Sequence, residues 1–462
     1  MEKNILVWSR TSRICCSVKT VGLGNISWLE EGEMIIDEAV LLDVLKLELD
    51  ESCEDILKDF FAEKEREKGE IEEHLEEFED FVHERVKRKR GVEKAENVVD
   101  RIKKERLLER LDELEEKPKS GILSRNRYEA LKELGEVCIN LDQLSEAKSY
   151  FEDLIDLTEE LDRHEMIAES LVSHAELFLL LGDLERAEEN AKKILSTAEK
   201  LRDEEFSGEA MRIAGIVAWR KGETEEGIRY LKEALGRFKE NDLNERSAVV
   251  HRELGDIWID EGELDKAIDH YRQASELFEE KNMALERINI LQEIGMIMSD
   301  MDEIDEAVEC FEEAETICEE NSFTVYRAWS LFNLGELGLE KENQKEAERY
   351  LKKAIELFEK SGDRYGEAGA KMTLARFLKE SGSLSEAETE VKRAVHLFDE
   401  LEMNGSKADA LRLLSKIHEE IEKFDEAVEE LEEAMMISDS LDMVDMKEEI
   451  EYELEYLTKH LK

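Results

Sequence analysis

The chain has 462 residues, of which 40% are charged and only 6% aromatic, and it contains a single proline. The near absence of proline predicts a mostly helical protein, and 41% apolar residues are enough to bury a core. The net charge of −55 repels phosphate backbones and anionic lipid surfaces, so we expect neither nucleic acid nor a membrane as a partner.

The N-terminal quarter of the chain shows no repeated pattern. Residues 1–49 predict a small segment of short strands followed by a helix. Residues 50–117 are charge-rich, and a narrow apolar seam that includes Ile71 and Leu75 predicts a helical hairpin or coiled coil, which could support a homodimer. Pro118, beside glycine and serine, marks a domain boundary.

Motifs of catalysis and of metal or cofactor binding are missing from the sequence. The six cysteines form no C-x-x-C pair and no disulfide framework, which favours a reducing cytoplasm. No apolar run is long enough to span a membrane. We therefore expect no enzymatic activity, no metal and no cofactor. A sensor or enzymatic activity in residues 1–126, where Cys15 and Cys16 are adjacent, stays open as an alternative.

From Arg127 onward the sequence repeats every 40 residues. One column holds small residues, and a second, twelve residues later, holds alanine in all rows but one. The first column is Gly135, Ala175, Gly215, Gly255, Gly295, Gly335, Ala375 and Ser415. Each row predicts two helices, such as 247–261 and 264–281. The turn between them holds four glycines, Gly182, Gly222, Gly262 and Gly382, which predict left-handed helix ends.

Residues 254–274, LGDIWIDEGELDKAIDHYRQA, resemble a tetratricopeptide repeat. The family's pattern of small, aromatic and turn residues is matched by Gly255, Trp258, Gly262, Ala267, Tyr271 and Ala274. The 40-residue period resembles the longer-helix subclass. The resemblance implies an all-α, right-handed α-solenoid of eight helix-turn-helix repeats in residues 122–440, closed by a capping helix in 441–462. Gly255 would then let its helix lie close to the Ala267 helix.

The resemblance also implies that the first helix of each pair lines a concave groove that takes a partner protein or an extended peptide. Three positions of each first helix face it: three before, one after and four after the small column. The candidate contact residues on these helices are Arg212, Trp219, Arg252, Ile259, Trp329, Phe332, Met372, Arg376, Lys379, Arg412 and Lys416. The cations among them either bind an acidic segment of a partner or offset neighbouring acids of the chain. For Trp219 the sequence favours packing over direct contact.

The sequence thus predicts a protein–protein interaction scaffold or adaptor. One rival is a structural assembly protein that self-associates through the coiled coil of residues 50–117. The other is the activity in residues 1–126 mentioned above.

Overall fold

In this computed structural model the described residues are 82–83, 92–115, 121–340, 343–441 and 443–460. Within them the chain forms eighteen α-helices and no β-strand. The short strands predicted in residues 1–49, the pair Cys15 and Cys16, and most of the predicted coiled coil lie outside the described residues.

Sixteen of the helices alternate as first and second members of eight pairs. The first helices are α2 (Gly121–Asn140), α4 (His164–Leu181), α6 (Glu204–Arg220), α8 (Asn244–Asp260), α10 (Ala284–Asp300), α12 (Thr324–Glu340), α14 (Arg364–Glu380) and α16 (Asn404–Glu420). The second helices are α3 (Leu144–Leu161), α5 (Leu184–Leu201), α7 (Thr224–Glu240), α9 (Leu264–Glu280), α11 (Ile304–Asn321), α13 (Gln344–Ser361), α15 (Leu384–Glu400) and α17 (Phe424–Ser440). The remaining two, α1 (Val92–Glu115) and α18 (Val444–His460), stand before and after the pairs.

The helices divide into two compact units. Unit 1 holds α1 from Lys94 onward and α2 to α9, and it ends at Asn282. Unit 2 holds α10 to α18, from Met283 onward. Each unit has its own aromatic core. The fully buried rings are Phe151, Phe238, Tyr271 and Phe278 in unit 1 and Phe311 and Phe358 in unit 2. Burial of the apolar stripe of every helix is the main stabilising contribution of such a repeat.

The glycine in the middle of α8 makes room for an aromatic ring. A Cβ on Gly255 would lie 2.5 Å from the ring of Tyr271 on α9, which is closer than real Cβ contacts come. The close approach to the Ala267 helix was predicted, but the residue that meets Gly255 is Tyr271, sixteen positions further along the chain. The Tyr271 hydroxyl donates a 2.7 Å hydrogen bond to Asp256, so the ring is held in this place.

The small column and the column sixteen residues after it vary together along the chain. The pairs, sixteen residues apart, are Gly135 and Phe151, Ala175 and Ala191, Gly215 and Leu231, Gly255 and Tyr271, Gly295 and Phe311, Gly335 and Leu351, Ala375 and Val391, and Ser415 and Leu431. Every ring follows a glycine, whereas the two alanines precede a smaller Ala or Val. The small column therefore complements the volume of the facing side chain, as close packing requires.

The predicted left-handed helix ends are confirmed. Gly182, Gly222, Gly262 and Gly382 all have positive φ, and so have Asp142, Asp302 and Glu422 at the same turn of other pairs. The second helices end in the same way, which the sequence analysis did not predict. Their positive-φ residues are Asp162, Arg202, Asp242, Asn282, Ser322, Gly362 and Glu402. A side chain in this conformation is strained, so these ends cost more than the glycine ends do.

The helices at either end cover the pairs next to them. Leu107 of α1 belongs to a buried cluster with Ala130 and Leu134 of α2. At the other end, Ile450 and Leu457 of α18 are buried with residues of α16 and α17.

Candidate binding surface

One side of each unit is formed by first helices. In unit 1, α4 contacts α6 and α6 contacts α8, and in unit 2 contacts run from α10 through α12 and α14 to α16. Successive first helices therefore lie close together, which is the geometry of the inner side of a helical repeat. We call this side the inner surface of each unit.

The inner surface of unit 1 contains a buried ion network around Arg212. The guanidinium donates to Glu209 at 2.7 Å, to Glu253 at 2.8 Å and to Glu176 at 2.5 Å, and so joins α4, α6 and α8. Arg212 is only 5% exposed. The prediction that it faces a partner is wrong, because three neighbouring carboxylates already use the donors that a ligand would need.

Burial and charge act against each other in this network. Burial tends to lower the pKa of Arg212, but Glu209, Glu253 and Glu176 outweigh it and raise the pKa well above its usual value. Burial raises the pKa of Glu253, although Arg212 opposes the shift. The network therefore holds α4, α6 and α8 in register, and the positive charge of Arg212 is used within the protein.

The other predicted residues of unit 1 are half-buried. Trp219 packs beside two apolar clusters, and its indole donates a hydrogen bond that lowers the pKa of Asp260, although burial raises that pKa more strongly. This favours the packing interpretation of Trp219. Arg252 and Ile259 are half-buried on α8.

In unit 2 most of the predicted cations are paired with acids. Arg412 binds Glu449 at 2.8 Å and Glu453 at 2.9 Å, and Lys416 binds Glu453 at 3.1 Å. Lys379 likewise pairs with an acid, Glu420. Three of the four cations therefore offset neighbouring acids, which is the second of the two interpretations left open by the sequence.

Arg376 is the cation of this group that is exposed without a recorded ion pair among the described residues. It lies near Asp409, whose pKa is raised by burial and lowered in part by Arg376 and Arg412. Met372 is buried in the core of unit 2 at 7% exposure, so its predicted contact role is wrong.

Trp329 and Phe332 are part of an aromatic cluster in unit 2. The Trp329 ring centroid lies 5.7 Å from that of Phe332 and 5.0 Å from that of Phe358, both edge-on. Its indole nitrogen donates to Asp363 at 3.2 Å. Both predicted aromatics are half-buried and pack against the core, so packing accounts for most of their surface.

The structure adds two residues that the sequence analysis missed. Tyr452 and Tyr456 lie on α18, forty residues after Arg412 and Lys416, and are 73% and 46% exposed. Extending the repeat by one row to α18 would have placed them in the groove columns. At their base is a cleft of about 80 Å³, lined by Ser415, Lys416, Glu419, Leu431, Tyr452, Glu453, Tyr456 and Leu457.

The described part of the chain also bears on metal binding and on membrane insertion. There, no group of three or more His, Cys, Asp or Glu residues is arranged to hold a metal ion. None of the described helices has the length and apolar character needed to cross a membrane.

Comparison with known proteins supports the fold. The family model for soluble NSF attachment protein matches residues 141–334, and a tetratricopeptide repeat model matches residues 330–361. No curated protein sequence matches the chain.

Two solved structures are similar over most of the chain. A Signal Transduction ATPase with Numerous Domains from Pyrococcus horikoshii, which has a tetratricopeptide repeat sensor, is 15% identical with a TM-score of 0.56, over 76% of this chain and 57% of that one. The apo form of RapI is 14% identical with a TM-score of 0.54, over 72% of this chain and 98% of that one. At this identity the similarity concerns the fold alone. The chain thus has the all-α repeat fold of tetratricopeptide-repeat proteins that the resemblance of residues 254–274 implied.

Proposed function

We propose that the chain is an adaptor that binds a partner protein, or an extended peptide of one, along the inner surface of unit 2. The repeat fold is one that proteins use for interaction with other proteins. The observation that carries the proposal is the exposure of Tyr452 and Tyr456 on α18, next to Lys416 on α16. Tyrosine and arginine are enriched where interfaces gain most of their binding energy.

Unit 2 is favoured over unit 1 because of what its inner surface leaves accessible. In unit 1 the donors of Arg212 are used within the protein, and Trp219 packs on the core. In unit 2, Arg376 and the two tyrosines are exposed on α14 and α18. The exposed parts of Tyr452 and Tyr456 offer a partner apolar area to bury.

In this proposal the paired cations position the helices and do not contact the partner. Lys379 and Arg412 hold acids of the next helix, so they fix the spacing of α14, α16 and α18. Lys416 is exposed but pairs with Glu453 at the wall of the cleft. Arg376 is the cation left for direct contact at the edge of the surface.

Affinity capture from the cells that make the protein, read out by mass spectrometry, tests the proposal. The full chain with Tyr452→Ala and Tyr456→Ala should lose most of a partner that the unchanged chain retains. The matched control is Met436→Ala with Val444→Ala, which removes two equally exposed apolar side chains elsewhere on α17 and α18. Circular dichroism checks that both variants are folded. Equal capture by the two variants would refute the proposal.

A further inference from the structure

We infer that the cleft between α16 and α18 receives an arginine side chain from a basic segment of the partner. The inference rests on the proposed function, since it names the chemistry of a partner at the same inner surface. Its three supports are the size of the cleft, the side chains that line it and the charge around it.

The size of the cleft selects a single side chain. Pockets for small molecules and cofactors usually measure roughly 300–1,000 Å³. This one measures about 80 Å³, and its floor is formed by Leu431 and Leu457. A narrow apolar floor of this kind fits the methylene stem of one long side chain, whose head group then stays at the rim.

The rim carries the groups that a guanidinium prefers. The rings of Tyr452 and Tyr456 are one helical turn apart on the same face of α18, and Glu419 and Glu453 lie beside them. Guanidinium groups stack on aromatic faces and bind carboxylates through paired hydrogen bonds. Arg412 and Lys416 already pair with Glu453, so the rings and Glu419 would provide the contact.

The charge around the cleft favours a basic occupant. The exposed side chains of α18 next to the tyrosines include Asp445, Glu448, Glu451 and Glu455. The whole chain carries a net charge of −55, which attracts basic segments and opposes the approach of a second copy. A basic segment of another protein is therefore the occupant that the surface fits best.

Fluorescence anisotropy with the full chain tests this inference directly. The probe is a labelled peptide Gly-Ser-Arg-Leu-Arg-Ser-Gly, and the matched probe has citrulline in place of both arginines. Citrulline keeps the shape of arginine but removes its charge. At physiological salt, which screens long-range attraction, we expect the arginine probe to bind at least about tenfold more tightly.

Variants of the chain distinguish binding in the cleft from general attraction by the negative charge of the chain. Tyr452→Ala keeps every charge and should weaken binding of the arginine probe about tenfold, while Val444→Ala on the same helix should leave it unchanged. Glu419→Gln should also weaken it. Equal binding by the Tyr452→Ala and Val444→Ala variants would overturn the inference, and so would equal binding of the two probes.

The outcomes also distinguish this inference from the proposed function. If partner capture depends on the tyrosines but the arginine probe does not compete with the partner, the inference fails and the proposed function stands. If capture does not depend on the tyrosines, the proposed function itself fails. Light scattering that shows a dimer abolished by Tyr452→Ala would mean that a second copy occupies the surface, and that result overturns the inference as well.

Discussion

Replacing Gly255 by alanine should destabilise unit 1, although alanine is the better helix former. The change adds one Cβ in the middle of α8, where it would lie 2.5 Å from the ring of Tyr271. That ring is fully buried and its hydroxyl is bound to Asp256, so it has little freedom to move away.

The expected size follows from two opposing effects. Alanine in place of an interior glycine stabilises a helix by about 0.5–1 kcal/mol. Overpacking a well-filled core costs about 1–3 kcal/mol. The net loss for Gly255→Ala should therefore be about 1 kcal/mol and at most about 2.5 kcal/mol. The matched control is Gly236→Ala in α7, where an added Cβ meets nothing within 4 Å. That variant should gain about 0.5–1 kcal/mol.

A double-mutant cycle tests the reason as well as the sign. Tyr271→Val creates, together with Gly255→Ala, the pair that the chain itself uses at Ala375 and Val391. Tyr271→Val alone is destabilising, because it removes a buried ring and a hydrogen bond. In that background Gly255→Ala should be neutral or stabilising, which corresponds to a coupling energy of about 1–3 kcal/mol between the two sites.

Hydrogen exchange of the α8 and α9 amides is the assay of choice, since repeat proteins unfold in parts and a single melting temperature averages over them. Urea unfolding followed by circular dichroism supplies a second measurement. The reasoning is refuted if Gly255→Ala slows amide exchange in α8 and α9 as much as Gly236→Ala slows it in α7. It is also refuted if the effects of Gly255→Ala and Tyr271→Val simply add.

Three further changes test the ion network, a buried histidine and the helix ends. Arg212→Met should destabilise unit 1 by about 3–5 kcal/mol, because it leaves buried Glu253 without its ion-pair partner and Glu209 with Arg246 alone. Adding Glu209→Gln and Glu253→Gln should recover part of the loss in urea titrations. Burial lowers the pKa of His174 to about 4, below its ordinary value of 6.5, so the unfolded chain takes up the proton first and stability should fall as the pH drops from 6.5 towards 4. His174→Phe should reduce that loss, which unfolding midpoints at neutral and mildly acidic pH would reveal; an unchanged difference between them would contradict the assignment. Arg202→Gly should raise stability by about 1 kcal/mol, since Arg202 has a φ of 56°, and a lower unfolding midpoint would argue against strain there.

The 40-residue period predicts much of the fold, because each helix pair needs the same type of residue at certain positions. Gly182 and Gly262 predict left-handed helix ends, and those ends are confirmed. The corresponding ends of the second helices were missed because only Gly362 among the described ones is a glycine. Arg202 and Glu402 adopt the same conformation without any sequence signal for it. There the packing of the pairs overrides local preference.

The candidate site was harder to predict, because the residues that neutralise its cations lie one repeat away. Arg212 pairs with Glu253, Lys379 with Glu420 and Arg412 with Glu453, each 41 residues further along the chain. Within its own repeat Arg212 has one acidic partner, Glu209, and the partner on the next first helix cannot be seen from that repeat alone. The ion pairs become visible in the sequence only when neighbouring rows are compared at an offset close to the period.

Two sets of positions on α18 differ from the corresponding positions on α16. Glu448, Glu451 and Glu455 stand forty residues after Ala408, Leu411 and Ser415, three buried residues of α16. Packing another helix on these positions would desolvate three carboxylates, which costs several kcal/mol. On the inner face the columns continue with Tyr452 and Tyr456 instead of charges. Under the proposed function these two exposed rings give α18 a contact with the partner, in addition to its packing on α16 and α17.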